Sequence, residues 1–428
     1  MVSAVAETGK RTTTLSHLSI ASLWFAFFAQ WMSVVPLIVP DQISGILGPG
    51  AVGREGITGT VVAAGALVSL VVTPVAGAIS DRWRSRSGRR RPFLIIGMLG
   101  SCIGLLALVP FAHGGSLWLY ALAFMNLQLW WNLGAGPYAG LVADIVPKRD
   151  QGMASAWLNI MTIAGAVVGN ILAQQLYRPG APGAFIAALI VVNLAALAVT
   201  LVGVREPASA GSATPFDLAS FLRSFWIDPA RHPGFFWVLV TRLISNLGLW
   251  SVLTFMLFYF QTVLGIGDAI GLLPVMLAAG ALLAVPASLV GASMATRYGI
   301  VRIVGVTSWI MAASAVGYVA AAFHPQLWLI VPVGLMFSVS YGAYQAVDWA
   351  LALRVLPDGT DAGKDMGIWH ISMVLPQIIG PAVSGWIISG LSLAVSARFA
   401  YLFAFCLAAA CFILAAWLIR KVRLPAPT

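Results

Sequence analysis

GAISDRWRSRSGRRRPF, residues 77–93, is the most highly charged stretch of the chain and joins two apolar runs, 56–79 and 92–112. Each run is long enough to cross a bilayer as a helix, for which about 20 apolar residues suffice. The rest of the chain repeats this contrast, since 60% of its 428 residues are hydrophobic and only 9% are charged, against about 25% in a typical soluble domain. The composition indicates an integral membrane protein. It excludes a soluble enzyme, a disordered chain and a nucleic-acid-binding domain.

Twelve apolar runs of spanning length follow one another along the chain: 18–39, 56–79, 92–112, 117–143, 153–176, 184–203, 235–264, 270–294, 302–323, 327–353, 367–390 and 399–419. Open sheet edges cannot lie in lipid, and the runs are too long for barrel strands, so each run predicts a helix. We therefore expect an all-α integral membrane protein with twelve transmembrane helices, numbered here as spans 1 to 12.

The longest polar gap predicts the domain boundary. It runs over 204–234 and divides the spans six and six, which predicts a six-helix bundle over 1–203, a cytoplasmic linker over 204–234 and a second bundle over 235–428. The middle of the gap, Phe216 to Trp226, is amphipathic, which favours a helix on the membrane surface.

The basic residues predict the orientation. With the N-terminus placed in the cytoplasm, 20 of the 24 Lys and Arg residues fall in cytoplasmic segments. Only Arg54, Arg178 and Arg398 fall outside, and Arg242 lies within a span. This bias predicts that both termini are cytoplasmic in a multi-pass protein of the cell membrane. The net charge of +10 therefore needs no nucleic-acid partner.

The two halves share several sequence features at nearly one offset. Gly77 corresponds to Gly291, an offset of 214, and Pro147 corresponds to Pro357, an offset of 210. Two six-span halves with the same direction are typical of two-bundle transporters built from parallel repeats.

Residues 77–93 resemble the signature loop of the major facilitator superfamily. The long form of the loop, with SRSGRRRPF at 85–93, is similar to the sucrose-transporter branch and to the glycoside–pentoside–hexuronide cation symporters. Further segments resemble the same branch: 136–138, 141–144, 341–367, Pro376 and Pro381. The resemblance implies a secondary carrier that works by alternating access and holds its substrate between two bundles.

The resemblance also implies a conformational latch at the signature loop. Asp81 would brace the bundles in one state, and loop arginines would pair with an acid at the end of span 4. Asp144 fits this acid, with Arg89 or Arg91 as its partner. The remaining motif positions are Gly77, Arg82 and Gly88. In the alternative interpretation these residues only set topology and bind anionic lipid.

Ionisable residues inside spans are candidate functional residues because charge within the bilayer is costly. Asp348 in span 10 shares a helix face with Tyr341 and Gln345 and is followed by Trp349. Arg242 in span 7 could neutralise Asp348 in an ion pair.

Nearby polar residues complete this set: Asn246 in span 7, and His370 and Gln377 in span 11. The alternatives are a structural ion pair for Asp348 and a helix-packing role for His370.

Amides and tryptophans in the first half suit a sugar. An amide offers both a donor and an acceptor to hydroxyl groups, and indole faces pack on sugar rings. The candidates are Gln30 and Trp31 in span 1, and Asn126, Gln128 and Asn132 in span 4. The alternative for each amide is an interhelical hydrogen bond.

The chain differs from the branch it resembles at the position linked to ion coupling. Plant-type sucrose carriers have an acidic residue in span 4, and Gln128 stands at that place here. Proton coupling would then rest on Asp348, Asp41 or His370, or the protein would be an uncoupled facilitator. We expect H⁺ rather than Na⁺ as the coupling ion.

The sequence therefore predicts a proton-coupled secondary transporter for a sugar or glycoside of disaccharide type. The alternatives are an efflux or uptake carrier for another amphipathic small molecule, an uncoupled facilitator and a non-transporting membrane receptor. We expect a monomer in the lipid bilayer with a small-molecule substrate and no nucleic acid. No enzyme motif, cofactor site or metal-ligand spacing is present in the sequence.

Overall fold

The computed structural model describes residues 13–48, 50–85, 87–147, 150–204, 206, 232–355 and 362–422, which form helices joined by short connections. In chain order the helices are α1 (Thr14–Ser33), α2 (Val39–Leu47), α3 (Arg54–Arg82), α4 (Arg91–Leu106), α5 (Leu117–Ile145), α6 (Gln151–Leu176), α7 (Gly183–Gly203), α8 (Pro233–Leu253), α9 (Met256–Thr262), α10 (Ala269–Tyr298), α11 (Ile300–Ala321), α12 (Leu327–Val355), α13 (Ala362–Ala394) and α14 (Ala397–Leu418). The chain is therefore all-helical over the described residues, as the apolar runs predict.

Eleven helical segments of the described chain are long and apolar enough to cross a membrane. The predicted span 4 is present as α5, whose 29 residues are also long enough. This helix carries the amides Asn126, Gln128 and Asn132, which lower its mean hydropathy. These helices confirm the prediction of a multi-pass membrane protein.

Span 1 is longer than predicted and is not one regular α-helix. Its helical segment runs from Thr14 to Leu47 and includes a π-helical turn, Val34–Ile38, between α1 and α2. Pro36 lies in this turn. Proline has no N–H and its ring collides with the preceding turn, so the backbone must widen there.

Span 7 is also interrupted, where the sequence predicts one helix over 235–264. The helix α8 ends at Leu253 and α9 begins at Met256. Ser251 donates to the carbonyl of Leu247, and Thr254 donates to that of Trp250. Hydroxyl groups bonded to the preceding turn favour a bend, and two of them lie at this break.

The described helices form two compact units. The first comprises the described residues of Met1–Val34 and Leu67–Phe216, and the second those of Val35–Ala66 and Asp217–Thr428. The predicted bundle boundaries at 203 and 235 stay a prediction. Most of the predicted linker, including Phe216 to Trp226, lies outside the described residues.

In the first unit, α1 packs against α6 and α7, and α4 packs against α5. Two glycines on α6 allow the closest approach. A Cβ atom at Gly165 would lie 2.2 Å from the carbonyl oxygen of Phe25, and one at Gly169 would lie 2.0 Å from that of Ala29. The two backbones are therefore in direct contact, as small-residue spacing in membrane helices permits.

In the second unit, α8 packs against α13 and α14, and α12 packs against α10 and α11. The start of α3 belongs to this unit. There a Cβ atom at Gly59 would lie 2.0 Å from the carbonyl oxygen of Pro381. Glu55 accepts a hydrogen bond from the Tyr401 hydroxyl at 3.3 Å.

Substituting Gly169 tests the contact between α1 and α6. We expect Gly169→Ala to lower the free energy of unfolding by about 1–3 kcal/mol, because overpacking forces the two backbones apart. Gly183→Ala is the matched control, since nothing lies within 4 Å of its Cβ position. Thermal unfolding in detergent measures both; equal melting temperatures for the two variants would contradict the close packing.

Candidate functional site

A buried ion pair joins two helices of the second unit. Arg242 on α8 donates from Nη1 to Oδ2 of Asp348 on α12. The two side chains are 4% and 0% exposed. An isolated charge in such a place would be very costly, so each residue depends on the other. The structure thus brings together the pair that the sequence suggested, and its role in binding or coupling stays a prediction.

Tyrosines and a methionine surround the ion pair. Tyr341, one of the predicted residues, stacks on Tyr344 with ring centroids 6.3 Å apart. Nη2 of Arg242 lies 3.6 Å from the sulfur of Met373 on α13. The pair is therefore enclosed by side chains of α8, α12 and α13.

Two amide oxygens flank the ion pair along the same helices. Asn246 lies one turn after Arg242 and donates to the Arg242 carbonyl at 3.0 Å, and Gln345 lies one turn before Asp348. The buried atoms Asn246 Oδ1 and Gln345 Oε1 have no hydrogen-bond partner among the described residues. A buried acceptor without a donor costs about 1–3 kcal/mol, so a ligand with donor groups would gain this free energy here.

The remaining candidates of the second half lie in different surroundings. Gln377 is half-buried and donates to the carbonyl of Met373 at 3.2 Å. Trp349 is 47% exposed, whereas Asp348 beside it is fully buried. The side chain of His370 lies outside the described part of the chain.

Gln30 belongs to a buried hydrogen-bond network in the first unit. Its amide exchanges hydrogen bonds of 3.1 and 3.2 Å with Ser101 on α4 and accepts one of 2.8 Å from Asn193 on α7. Both ends of the amide are thus satisfied within the protein. This geometry agrees with the interhelical alternative for Gln30.

Asn132 is satisfied in a similar way. It accepts hydrogen bonds of 2.8 and 2.9 Å from Ser69 and Thr73 on α3 and donates to the carbonyl of Gln128 at 2.7 Å. The side chain of Gln128 is buried. These bonds hold α3 against α5.

Of the other two candidates of the first half, Asn126 bonds within its own helix and Trp31 contacts a neighbouring helix. Asn126 accepts a hydrogen bond of 3.0 Å from the indole of Trp130. Trp31 packs edge-to-face on Trp131 with ring centroids 5.3 Å apart. Gln30, Asn126 and Asn132 thus take part in three separate sets of hydrogen bonds.

Arg90 lies at the centre of the arginine-rich loop. Its guanidinium is buried and donates to Asp81 at 2.7 Å, to Asp144, and to the carbonyl of Pro137 at 3.1 Å. A Cβ atom at Gly140 would lie 2.4 Å from this guanidinium. The glycine one turn before Asp144 therefore leaves room for the arginine.

The sequence offered two alternative partners for Asp144, Arg89 and Arg91. Arg89 pairs with Asp144, as one of the two suggestions has it. Arg91 instead donates to the carbonyl of Leu201 at 2.6 Å. The sequence did not single out Arg90, because three consecutive arginines cannot be told apart from sequence alone. The start of α4 at Arg91 turns the middle arginine into the interior of the unit.

Glu206 is a further residue that sequence reasoning missed. Its carboxylate accepts the backbone N–H groups of Arg90 and Arg91 at 3.0 and 3.1 Å, at the start of α4. Negative charge is favourable at a helix N-terminus. Gly88 has a φ of +99° and lies against this carboxylate. A Cβ atom at Gly88 would lie 2.3 Å from Oε2 of Glu206.

Of the other latch residues, Arg82 bonds within its own helix and Gly77 lies against a neighbouring helix. Arg82 donates to the carbonyl of Ala78 in its own helix at 2.8 Å. Gly77 lies at ordinary contact distance from Gly136, with 3.8 Å between its Cβ position and the Gly136 carbonyl oxygen. The first unit therefore contains a network of Asp81, Arg89, Arg90, Asp144 and Glu206, and its role as a latch stays a prediction.

A sequence model of the Major Facilitator Superfamily matches residues 20–360. The chain belongs to this superfamily. It is thus a multi-pass membrane transporter, as its helical spans and signature loop led us to expect.

Curated relatives within the Major Facilitator Superfamily include both sugar carriers and a resistance protein. Sucrose transport protein SUT1 of Oryza sativa subsp. japonica is 29% identical over 184 residues, 35% of this chain and 34% of that protein. General alpha-glucoside permease of Schizosaccharomyces pombe is 28% identical over 139 residues, 29% of this chain and 25% of that protein. Tetracycline resistance protein, class C, of Escherichia coli is 26% identical over 343 residues, 76% of this chain and 78% of that protein.

Solved structures of other transporters share the fold. A D-xylose-proton symporter gives a TM-score of 0.70 at 14% identity, covering 97% of this chain and 98% of that one. The nucleoside transporter NupG gives a TM-score of 0.69 at 13% identity, covering 96% of this chain and 99% of that one. At these identities the likeness establishes the fold alone.

The loop network predicts a stability effect for Arg90. We expect Arg90→Ala to lower the free energy of unfolding by about 1–3 kcal/mol, because two carboxylates lose a charged donor. Arg90→Lys should restore only part of this loss, since one ammonium group cannot replace a planar guanidinium. Arg84→Ala, at an exposed arginine of the same loop, is the control. A loss for Arg84→Ala as large as that for Arg90→Ala would refute the central position of Arg90.

The buried ion pair predicts strong coupling between two substitutions. Asp348→Asn or Arg242→Gln alone should cost about 3–5 kcal/mol of stability, because each leaves an uncompensated buried charge. The double variant should recover most of this loss. Asp268→Asn, at an exposed helix start, is the matched control and should be neutral. Additive losses in thermal unfolding of the double variant would show that the two charges do not interact.

Proposed function

We propose that the protein is a secondary transporter that moves a sugar or glycoside of disaccharide type across the membrane by alternating access, in symport with H⁺. The observation that carries this proposal is the buried polar cluster of the second unit, in which an ion pair lies between amides and tyrosines. Two oxygens of this cluster, Asn246 Oδ1 and Gln345 Oε1, are acceptors without donors within the described residues.

The chemistry of the cluster supports a polyhydroxylated substrate. Each sugar hydroxyl is a donor and an acceptor, so it can donate to an amide oxygen and accept from a guanidinium. The tyrosine rings beside the ion pair offer apolar faces to the C–H surface of a sugar ring. An apolar substrate would leave the two amide oxygens unsatisfied.

The ion pair supports proton coupling at Asp348. A proton taken up by the carboxylate removes the negative charge that holds Arg242. The guanidinium is then available to substrate oxygens, so proton and substrate binding become linked. Because Asp348 is fully buried, its proton can exchange only when the surrounding helices move, as alternating access requires.

Among the relatives, a sucrose transport protein and an alpha-glucoside permease support a glycoside substrate. The matched segments are short, about a third or less of either protein, so the substrate is our proposal for this chain. We also propose twelve spanning helices, with α5 as the fourth, and both termini in the cytoplasm, on the charge bias. The proposed active form is a monomer without a nucleic-acid partner.

A second candidate function is efflux of another amphipathic molecule. Tetracycline resistance protein, class C, supports it because that relative matches 76% of this chain. The two functions differ in what binds: sugars should stabilise the purified protein under our proposal, and apolar drugs should stabilise it under the alternative.

Uptake of radiolabelled sucrose and maltose into proteoliposomes tests the proposal. We expect saturable uptake of at least one sugar, with accumulation above equilibrium only under an inward proton gradient. The double variant Asp348→Asn with Arg242→Gln keeps the cluster free of unpaired charge and should not accumulate sugar. Asp268→Asn is the control and should transport like the wild type.

The other outcomes each point to one alternative. Saturable uptake that equilibrates without accumulation would show a facilitator and remove the coupling part. No uptake of either sugar by folded protein, together with stabilisation by apolar drugs, would refute the sugar substrate and favour efflux.

A further inference from the structure

Three basic side chains gather at one end of the second unit. Arg302 lies in the first turn of α11, and Arg420 and Lys421 lie in the short 3₁₀ turn that follows α14. All three side chains are exposed. The function proposed above does not use any of them.

The packing of the 3₁₀ turn brings these residues together. Ile419 and Val422 are buried in an apolar core with Ile300 and Ile303 of α11. A Cβ atom at Gly305, one turn after Arg302, would lie 3.6 Å from a methyl carbon of Ile419. The turn is therefore fixed against the start of α11.

Two tryptophans hold the lysine in place. The Lys421 ammonium lies 4.3 Å from the ring centroid of Trp237 and 5.3 Å from that of Trp417. Such cation–π contacts orient the ammonium without neutralising it. Tryptophan is also enriched at the level of lipid headgroups. We call Arg302, Arg420, Lys421, Trp237 and Trp417 the basic interfacial patch.

The described helices around the patch supply no counter-charge. The helices that form the patch, α8, α11 and α14, contain no Asp or Glu. Among the residues that the structure describes, no salt bridge is formed by Arg302, Arg420 or Lys421. Within the described part of the chain, the three cations are therefore exposed and not neutralised by a carboxylate.

Apolar stripes continue from the cations along both helices. On α11 the exposed residues at helical spacing from Arg302 are Val306, Trp309 and Ile310, and on α14 those leading to Arg420 and Lys421 are Ile413, Leu414 and Trp417. Both stripes lie on segments that can cross the membrane. A ligand that covers cations and stripes together must have an anionic head and an apolar tail.

We propose that the basic interfacial patch binds an anionic phospholipid. The phosphate lies against Arg302, Arg420 and Lys421, and the acyl chains lie along the stripes of α11 and α14. A zwitterionic headgroup carries its own cation and gains less from three positive side chains. The patch lies on the predicted cytoplasmic side, whose leaflet carries anionic lipid.

Lipid binding to the purified transporter in neutral detergent tests the proposal. Native mass spectrometry would compare phosphatidylglycerol, phosphatidylcholine and free glycerol phosphate. We expect tight binding of phosphatidylglycerol alone. Each removed cation should weaken it about fivefold, since a basic residue near an anionic surface contributes about 1 kcal/mol. The variants are Arg420→Gln and the double variant Arg302→Gln with Lys421→Gln.

Arg297→Gln is the matched control. Arg297 is an exposed arginine at the end of α10 and lies over its own neighbour, Tyr298. It should leave lipid binding unchanged. Wild-type affinity in the double variant, equal binding of phosphatidylcholine, or equal binding of glycerol phosphate would overturn the proposal. The first result would show that the cations do not contribute to binding. The second would show that the anionic headgroup is not required, and the third that the acyl chains are not required.

Discussion

The structure depends on one constraint: the hydrocarbon of a bilayer offers no hydrogen-bond partner. Each backbone N–H and carbonyl within it must therefore bond inside the protein, which leaves helices as the solution for this chain. Polar side chains obey the same constraint. Thr241, Ser308 and Ser340 donate to carbonyls of their own helices, so they satisfy themselves locally and carry no information about a ligand.

Polar residues that reach across helices are more informative. Gln30 and Asn132 find partners on neighbouring helices, and these bonds satisfy the amides without a substrate. Around the Arg242–Asp348 pair the protein does not satisfy itself, because Asn246 and Gln345 each keep a buried acceptor without a donor among the described residues. These two oxygens beside a buried ion pair are the reason why we propose the substrate site there.

Charges at the membrane surface have two different roles in this transporter. Arg89 and Arg90 of the signature loop pair with Asp81 and Asp144, so the charge of these two arginines is balanced within the first unit. The basic interfacial patch has no such acids among the described residues, and its three cations are exposed. A count of basic residues treats both groups alike, whereas their partners separate a structural network from a surface that can bind lipid.

The sequence by itself determined the fold class, the order of the helices and the superfamily, because apolar runs of spanning length and a charged loop are local properties. It also suggested Arg242 and Asp348, since unpaired charges within spans demand each other. It could not choose Arg90 among three arginines or identify Glu206, and it missed the breaks in spans 1 and 7. Only the tertiary structure decided these points, because they depend on which backbone groups and side chains distant segments bring within hydrogen-bond distance.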